Sequence, residues 1–188
     1  MRKLIYSMMV SLDGFIARPD GDLAWILIDE ELHTFANEQA REVDVELYGR
    51  RLWETMAAYW PTADENPDAP AVEVEFARIW RDLPKIVFSR TLDRVEGNAR
   101  LATKDLSEEI GALKDQPGRD LSIGGAELAG EALRLGLVDE VRPMVQPVVL
   151  GAGRPMFPPS GSSLDLELVE TRTFASGVVY LRYVKRGT

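Results

Sequence analysis

Short apolar runs alternate with helical patterns through most of the sequence, and this alternation limits the fold class more than any other feature. The run "KLIYSMMVS", residues 3–11, is apolar on both faces, which is typical of a buried strand. From Asp29 onward, apolar residues recur at helical spacing, with Asp29 as the expected N-terminal cap. Strands that alternate with helices favour a mostly parallel sheet with helices on both faces.

The alternation continues to residue 136 and then gives way to strands. Further strands are expected at 45–49, 85–90, 98–103 and 120–123, and further helices at 50–60, 71–83, 107–116 and 126–136. Three more strands are expected within 139–151, 164–174 and 177–186, and the turn "ASG" separates the last two. We therefore predict one α/β domain over residues 1–188, with a C-terminal antiparallel hairpin at the edge of the sheet.

The composition excludes several kinds of chemistry and of partner. The chain has no cysteine and one histidine, His33, so it offers no thiolate nucleophile, no zinc cluster and no histidine-based triad, and no metal site is expected. We expect His33 to be a surface or partly buried residue. A formal net charge of -9 argues against nucleic-acid and membrane partners. No membrane-length apolar run or signal peptide is apparent, and the cytoplasm is the expected compartment.

Two adjacent glycines, Gly124 and Gly125, separate an expected strand from an expected helix in "DLSIGGAELAG". They can serve simply as a tight turn, or they can let an anionic ligand approach the backbone N–H groups of Ala126, Glu127 and Leu128. In the second case the carboxylate of Glu127 must point away from the ligand. The spacing G-x-G-x-x-G is absent, which disfavours an ordinary Rossmann domain.

Positively charged residues follow two other expected strands. Arg50 and Arg51 stand at the start of a helix in "LYGRRLWE", where their charge opposes the helix dipole unless an anion is bound. Ser89 and Arg90 end "IVFSR" and offer a hydroxyl and a guanidinium to a phosphate. Each feature is ordinary by itself, but their shared placement at strand ends of an acidic chain indicates an anion site.

Five motifs occur in order along the chain: "SLDGFIA", "LYGRRLWE", "IVFSR", "LSIGGAEL" and "PVVLGAGRPMF". Together they resemble the dihydrofolate reductase superfamily, particularly its bacterial members related to the reductase domain of riboflavin biosynthesis. The resemblance implies a dihydrofolate reductase-like fold and hydride transfer from NADPH to a small heterocycle. That heterocycle is expected to be 5-amino-6-(5-phosphoribosylamino)uracil or a dihydropteridine such as dihydrofolate. The alternative is an NADPH-binding protein of the same fold with little or no catalytic activity. The resemblance also implies a homodimer, for which the strand-rich C-terminal part would be a suitable interface.

The resemblance further implies the cofactor-binding positions. They include Leu52, where dihydrofolate reductases commonly have a threonine whose hydroxyl helps to bind phosphate. It also implies a cis peptide bond between Gly124 and Gly125. The full set comprises Ala17, Gly49, Arg50, Arg51, Leu52, Ser89, Arg90, Gly124, Gly125, Ala126, Glu127 and Leu128.

Asp22 in "DGDLAW" is the candidate catalytic residue, because the same resemblance places there an aspartate that binds a pterin and assists protonation. An acidic turn is the competing interpretation. Asp13 in "SLDG" is a candidate ligand of the substrate or, equally, a turn residue. The substrate ring is expected to contact Phe15, Trp25, Ile28 and Met56. Since Met56 and Trp53 lie on different sides of one helical pattern, at least one of them is expected to be plain core.

Overall fold

The computed structural model describes residues 1–159 and 163–187. The strands are β1 (Leu4–Ser11), β2 (Phe15–Ala17), β3 (Val43–Gly49), β4 (Lys85–Phe88), β5 (Ala99–Leu101), β6 (Asp120–Gly124), β7 (Glu140–Gln146), β8 (Arg154–Pro155), β9 (Leu166–Thr173) and β10 (Val179–Lys185). The α-helices are α1 (Glu30–Arg41), α2 (Arg50–Ala57), α3 (Ala71–Asp82), α4 (Leu106–Lys114) and α5 (Ala126–Arg134). A short 3₁₀ helix covers Ala63–Glu65.

The chain forms two compact units. The first comprises Met1–Arg2 and Asp29–Ser122, and the second comprises Lys3–Ile28 and the chain from Ile123 onward. The division passes through β6, so that the first unit has α1 to α4 and the second has α5 and the C-terminal strands.

In the first unit the strand order is β5-β4-β3-β6, and β4 is parallel to both β3 and β5. Behind these strands lies a core cluster of Tyr48, Trp53, Trp80 and Val87. Trp53 stacks on Trp80 with ring centroids 5.8 Å apart, and the half-buried Met56 packs against the same cluster. The expectation that at least one of Trp53 and Met56 belongs to the core is therefore confirmed.

In the second unit the strand order is β1-β7-β10-β9. β1 and β7 are parallel, whereas β10 is antiparallel to both β7 and β9. Fully buried side chains of these strands, among them Tyr6 and Tyr180, form the core. The predicted α/β class, with a mostly parallel sheet and a C-terminal antiparallel hairpin, is confirmed.

Local signals explain several element boundaries. The carboxylate of Asp29 accepts a hydrogen bond from the N–H of Leu32 at 2.8 Å, which confirms the expected cap of α1. Leu83, which precedes Pro84, has the extended conformation that a residue before proline prefers, with ψ 129°. α3 therefore ends at the preceding residue, Asp82. α2 ends at Ala57 rather than at Trp60, and β3 begins at Val43 rather than at Val45.

A second, two-stranded sheet joins β2 to β8 and was not predicted from the sequence. In it Phe15 pairs with Pro155, and Ala17 pairs with Arg154. A Cβ at Gly153 would lie 2.2 Å from the carbonyl oxygen of Ala17, and φ at Gly153 is +157°. Only glycine allows this close approach of the two strands. None of the helices in the described part of the chain is long and apolar enough to cross a membrane.

Candidate functional site

The glycine pair forms the turn between β6 and α5, as predicted. Gly125 is the N-terminal flanking residue of α5 with φ 89° and ψ 126°, a conformation that L-amino acids rarely adopt. The described residues contain no cis peptide bond, so the expected cis bond between Gly124 and Gly125 is wrong. The positive φ of Gly125, with trans peptides on both sides, redirects the chain instead.

The N-termini of the helices differ in how they are capped. α1 and α4 begin after Asp29 and Asp105, and each carboxylate accepts a hydrogen bond from the helix backbone. α2 and α5 begin after Gly49 and Gly125, and no side chain in the described part of the chain caps them. A helix N-terminus without a cap keeps backbone N–H groups that an anion can satisfy. At α5, Ala126 and Leu128 are buried, and Glu127 is exposed.

The first turn of α2 contains two arginines and no acidic residue. The guanidinium of Arg50 lies 3.0 Å from the carboxylate of Glu54, one helical turn away, and each of the two side chains is a little less than half exposed. Arg51 is exposed as well. Leu52 packs against the aromatic cluster of the first unit, so it contributes to the core and offers no hydroxyl to a ligand.

Ser89 and Arg90 directly follow β4. The hydroxyl oxygen of Ser89 accepts hydrogen bonds from the N–H groups of Thr91 at 3.1 Å and Leu92 at 3.0 Å, which leaves the hydroxyl hydrogen to donate. Among the residues that the structure describes, the exposed guanidinium of Arg90 makes no hydrogen bond or ion pair. Ser89 is therefore fixed by its own turn, and Arg90 is available to an anion.

In the second unit, Asp22 is exposed and lies in a loop between two turns, at residues 19–20 and 24–25. Its carboxylate accepts a hydrogen bond from the N–H of Ala24 at 3.1 Å and lies 3.2 Å from the guanidinium of Arg18. Its carbonyl oxygen accepts a hydrogen bond from the indole N–H of Trp25 at 3.2 Å. These contacts match the interpretation of an acidic turn, and they leave the catalytic role of Asp22 a prediction.

Asp13 connects two loops of the second unit. The hydroxyl of Ser11 donates to its carboxylate at 2.6 Å, and the N–H groups of Leu150 and Gly151 donate at 3.1 and 2.7 Å. The hydrogen bond from Ser11, with those from the two backbone groups, lowers the pKa of Asp13 below its ordinary value. The structure thus shows the turn role for Asp13, and its contact with a substrate remains a prediction.

The apolar candidates differ in exposure. In the second unit, Trp25 is 8% exposed and Ala17 is buried, whereas Ile28 is 50% exposed and Phe15 is half-buried. In the first unit, Met56 is half-buried against the aromatic cluster. Phe15 and Ile28 thus present apolar surface that an aromatic ring could cover.

His33 is half-buried in the first unit, as expected. Its Nδ1 lies 3.1 Å from the amide oxygen of Asn37, and its ring makes edge-to-face contacts with Trp60 and Phe76. These contacts are those of a packed histidine. No group of three or more potential metal ligands occurs among the described residues.

The sequence did not single out the buried polar residues at the carboxyl ends of β1 and β7. Ser11 is 1% exposed and Gln146 is 0% exposed, and the two are partners in the strand register. Ser11 accepts a hydrogen bond from the N–H of Phe15, and Gln146 accepts one from the N–H of Leu27. The sequence feature that could have indicated this buried pair is the glutamine at the end of the otherwise apolar run "MVQ".

Comparison with known proteins places this arrangement in a wider group. The family model of the RibD C-terminal domain matches residues 2–180. The protein YyaP of Bacillus subtilis (strain 168) is 37% identical over 183 residues, which cover 97% of this chain and 94% of YyaP.

Solved structures share the fold at lower identity. A protein of Shewanella sp. PV-4 described as a riboflavin biosynthesis protein superposes with a TM-score of 0.79 at 23% identity, covering 98% of this chain and 99% of its own. The diaminohydroxyphosphoribosylaminopyrimidine deaminase/5-amino-6-(5-phosphoribosylamino)uracil reductase of Thermotoga maritima gives 0.65 at 18% identity, and the match covers 98% of this chain but 57% of that one. Dihydrofolate reductase from Enterococcus faecalis, complexed with NADP(H), gives 0.64 at 19% identity, covering 98% and 97%. The chain, with its glycine turn before α5 and its strand-end arginines, belongs to the RibD C-terminal domain family and has the dihydrofolate reductase-like fold.

Proposed function

We propose that this protein is an NADPH-dependent reductase that transfers hydride to a small heterocycle. The observation that carries the proposal is the turn at Gly125, whose positive φ leads into a helix without a side-chain cap, in a chain of the RibD C-terminal domain family. Such a turn suits the close approach of a pyrophosphate to backbone N–H groups.

The residues of the first unit fit the phosphate of the adenosine half of the cofactor. Arg51 and Arg90 are exposed guanidinium groups at strand ends, and Ser89 keeps a hydroxyl hydrogen to donate. Arg50 is paired with Glu54 on the surface. Replacement of this carboxylate partner by a phosphate costs little free energy, because surface ion pairs are weak. Leu52 supplies no hydroxyl, so phosphate binding here depends on charge and on the backbone.

Bound NADPH would supply a hydride to an electrophilic carbon of the substrate. The protein then has to deliver a proton to the neighbouring nitrogen. The exposed carboxylate of Asp22 can hold that nitrogen and relay a proton from bulk water, because Asp22 is in contact with solvent. Phe15 and Ile28 offer apolar surface to the ring.

Two substrates are proposed on the basis of the related folds. The Thermotoga maritima protein is named as a 5-amino-6-(5-phosphoribosylamino)uracil reductase, and the Enterococcus faecalis protein is a dihydrofolate reductase. Both substrates are planar nitrogen heterocycles, and both are suitable probes for this chain.

The first experiment is a fluorescence titration of the purified protein with NADPH and with NADH, repeated on Arg51→Ala. We expect NADPH to bind more tightly than NADH, and Arg51→Ala to weaken NADPH binding about tenfold because a charge-assisted contact is lost. Arg94→Ala is the matched control, since Arg94 is 86% exposed and its carboxylate neighbour Glu96 is 3.9 Å away. Absence of binding to either nucleotide would contradict the proposal.

A second possibility is an NADPH-binding protein with little or no catalysis. The exposure of Asp22 favours it, because exposed aspartates in surface loops commonly have no catalytic role. Turnover of dihydrofolate by wild type and Asp22→Asn distinguishes the two. A reductase that uses Asp22 loses turnover in the variant and keeps NADPH affinity. NADPH binding without turnover of either probe by the wild type supports the second possibility.

We further propose that the protein is a homodimer. All but the first residue of β9 are exposed, and among the described residues of the second unit β9 pairs with β10 alone. A strand with an unpaired edge offers backbone groups to a second copy. Sedimentation equilibrium would show a dimer, and a monomer at micromolar concentration would refute this assembly.

A further inference from the structure

The side chain of Gln146 is buried at the carboxyl end of β7 and makes both of its hydrogen bonds inside the second unit. Its amide oxygen accepts from the N–H of Leu27 at 3.0 Å, and its amide nitrogen donates to the sulfur of Met9 at 3.4 Å. The residue is 0% exposed. A buried amide of this kind is costly to leave unpaired, so Gln146 and Leu27 hold each other in place.

Residues 19–28, the segment that contains Leu27, make few hydrogen bonds with the rest of the protein. Among the described residues, this is the one hydrogen bond that residues 19–28 make with a distant part of the chain. The remaining hydrogen bonds of the segment are local, such as those from Ala24 to Asp22 and from Ile26 to Leu23. Among hydrogen bonds, the one to Gln146 therefore contributes most to the position of the backbone of residues 19–28.

Side-chain packing gives the segment little additional support. Leu23, Leu27 and Ile28 are 37%, 50% and 50% exposed, so each leaves a large part of its apolar surface in water. Trp25, 8% exposed, is the one buried side chain of the segment, and Ile26 is half-buried. One buried tryptophan, the half-buried Ile26 and one amide hydrogen bond thus set where the exposed side chains lie.

The same segment carries three of the proposed site residues, Asp22, Trp25 and Ile28. We propose that Gln146 is a positioning residue, which fixes the backbone of residues 22–28 through the N–H of Leu27 and thereby sets the affinity for the heterocyclic substrate. This inference rests on the proposed function and adds to it a residue that touches neither substrate nor cofactor. Gln146 acts through Leu27, and its loss should change substrate binding while NADPH binding stays as it is.

Hydrogen exchange at the N–H of Leu27 tests the anchor without any need for activity. In Gln146→Met, which keeps the volume but not the acceptor, exchange at Leu27 should accelerate about tenfold. Gln146→Glu keeps an acceptor oxygen, and at a pH near 6 its buried carboxyl group should be neutral and restore slow exchange. Unchanged exchange at Leu27 in Gln146→Met would overturn the inference.

Steady-state kinetics measure whether the loss of Gln146 changes substrate affinity. Dihydrofolate is the first substrate probe, and 5-amino-6-(5-phosphoribosylamino)uracil is the second. We expect Gln146→Met to raise KM about fivefold with a smaller change in kcat, and Gln146→Glu to restore KM. The Kd for NADPH should stay within about twofold of wild type.

Asn37→Leu is the matched control. Asn37 is likewise a fully buried amide, and its nitrogen donates to the carbonyl oxygen of Val72 at 3.0 Å, but it lies in the first unit. It should lower stability and leave both KM and Leu27 exchange unchanged. A KM that rises equally in Asn37→Leu and Gln146→Met would overturn the positioning role. If the wild type turns over neither probe, the proposed function fails, and the role in substrate affinity fails with it, whereas the exchange measurement still decides whether Gln146 is the anchor.

Discussion

Two buried carboxylates and one buried lysine show how single residues change the stability of this chain. Glu140 in β7 is 0% exposed and lies within 3.2 Å of Lys3, 2.7 Å of Arg142 and 2.5 Å of Arg182. Burial opposes its ionisation, but the three cations outweigh burial and lower the pKa of Glu140. Because the folded pKa is depressed, this stabilisation is present above the unfolded pKa and is lost as the pH falls through the folded pKa.

Replacement of Glu140 by glutamine should therefore be strongly destabilising. It leaves the buried guanidinium of Arg142 without its anion, and we expect the free energy of unfolding to fall by about 3 kcal/mol. Urea denaturation at neutral pH measures the loss. Glu170→Gln is the control, because Glu170 is an exposed partner of Arg182 at 3.6 Å and its removal should cost less than about 1 kcal/mol. Equal losses in the two variants would contradict the argument.

The second buried carboxylate, Glu46 in β3, accepts a hydrogen bond from the hydroxyl of Tyr48 at 2.6 Å. Lys85 in β4 is its register neighbour, is 2% exposed, and donates to the carbonyl oxygens of Trp80 and Leu83. Burial lowers the pKa of Lys85 to about 8, despite the opposing charge of Glu46. The unfolded chain then binds the proton more tightly than the folded chain between a pH of about 8 and the ordinary lysine value of 10.5.

The stability of wild type relative to Lys85→Met should consequently rise with pH across that window. The protonated lysine is disfavoured in the folded state, and this penalty disappears as Lys85 loses its proton, which corresponds to a gain of up to about 3 kcal/mol. Denaturant unfolding of both proteins at several pH values between about 7 and about 10 measures the difference. Parallel stability curves for the two proteins would show that Lys85 keeps an ordinary pKa.

At the scale of the element, the N-termini of the helices divide into two groups. α1 and α4 are capped by aspartates, and α2 and α5 begin after glycines without a side-chain cap. A strand that ends in glycine and is followed at once by a helix leaves no position for a capping side chain. In this family of reductase-like folds, that same pair of junctions is where we propose that phosphate groups bind.

Gly125→Ala tests how far the junction of β6 and α5 depends on glycine. A Cβ at φ 89° and ψ 126° is strained, and we expect a loss of about 1–3 kcal/mol of stability together with weaker NADPH binding. Gly111→Ala is the matched control, because Gly111 lies inside α4 with open space around its Cβ position. That variant should gain about 0.5–1 kcal/mol. Thermal unfolding and NADPH titration of both variants provide the comparison, and a neutral Gly125→Ala would argue against a special backbone there.

At the scale of the whole molecule, the acidic character of the chain makes its cationic positions stand out. The formal net charge is -9, yet Arg50, Arg51 and Arg90 follow strands of the first unit. An anion bound there gains a local attraction that the protein as a whole does not offer. Selectivity for NADPH over NADH, which differ by one phosphate, is the expected consequence.

Ligand-linked stability measures that selectivity on the intact protein. At about 100 times its Kd, NADPH should raise the free energy of unfolding by about 2.7 kcal/mol and the Tm by roughly 5–10 °C. NADH at the same concentration should give a smaller shift, and Arg51→Ala should reduce the shift with NADPH only. Equal shifts with both nucleotides would show that the extra phosphate is not recognised.

The sequence by itself determined the order of the helices and of all strands except β2 and β8. It also determined the Asp29 cap, the strand-end placement of the arginines and the family resemblance, because each depends on periodicity or on residues close in sequence. The boundaries of α2 and β3 shifted, since packing decides where an element ends.

Tertiary structure decided the rest. Gln146 meets Leu27 across 119 residues, and Asp13 meets Gly151 across 138. The backbone at Gly125 is trans with a positive φ, contrary to the cis bond that the resemblance implied. Such contacts and conformations arise when strands that are distant in sequence become neighbours in a sheet, and no local pattern encodes which polar side chain will then be buried beside which backbone group.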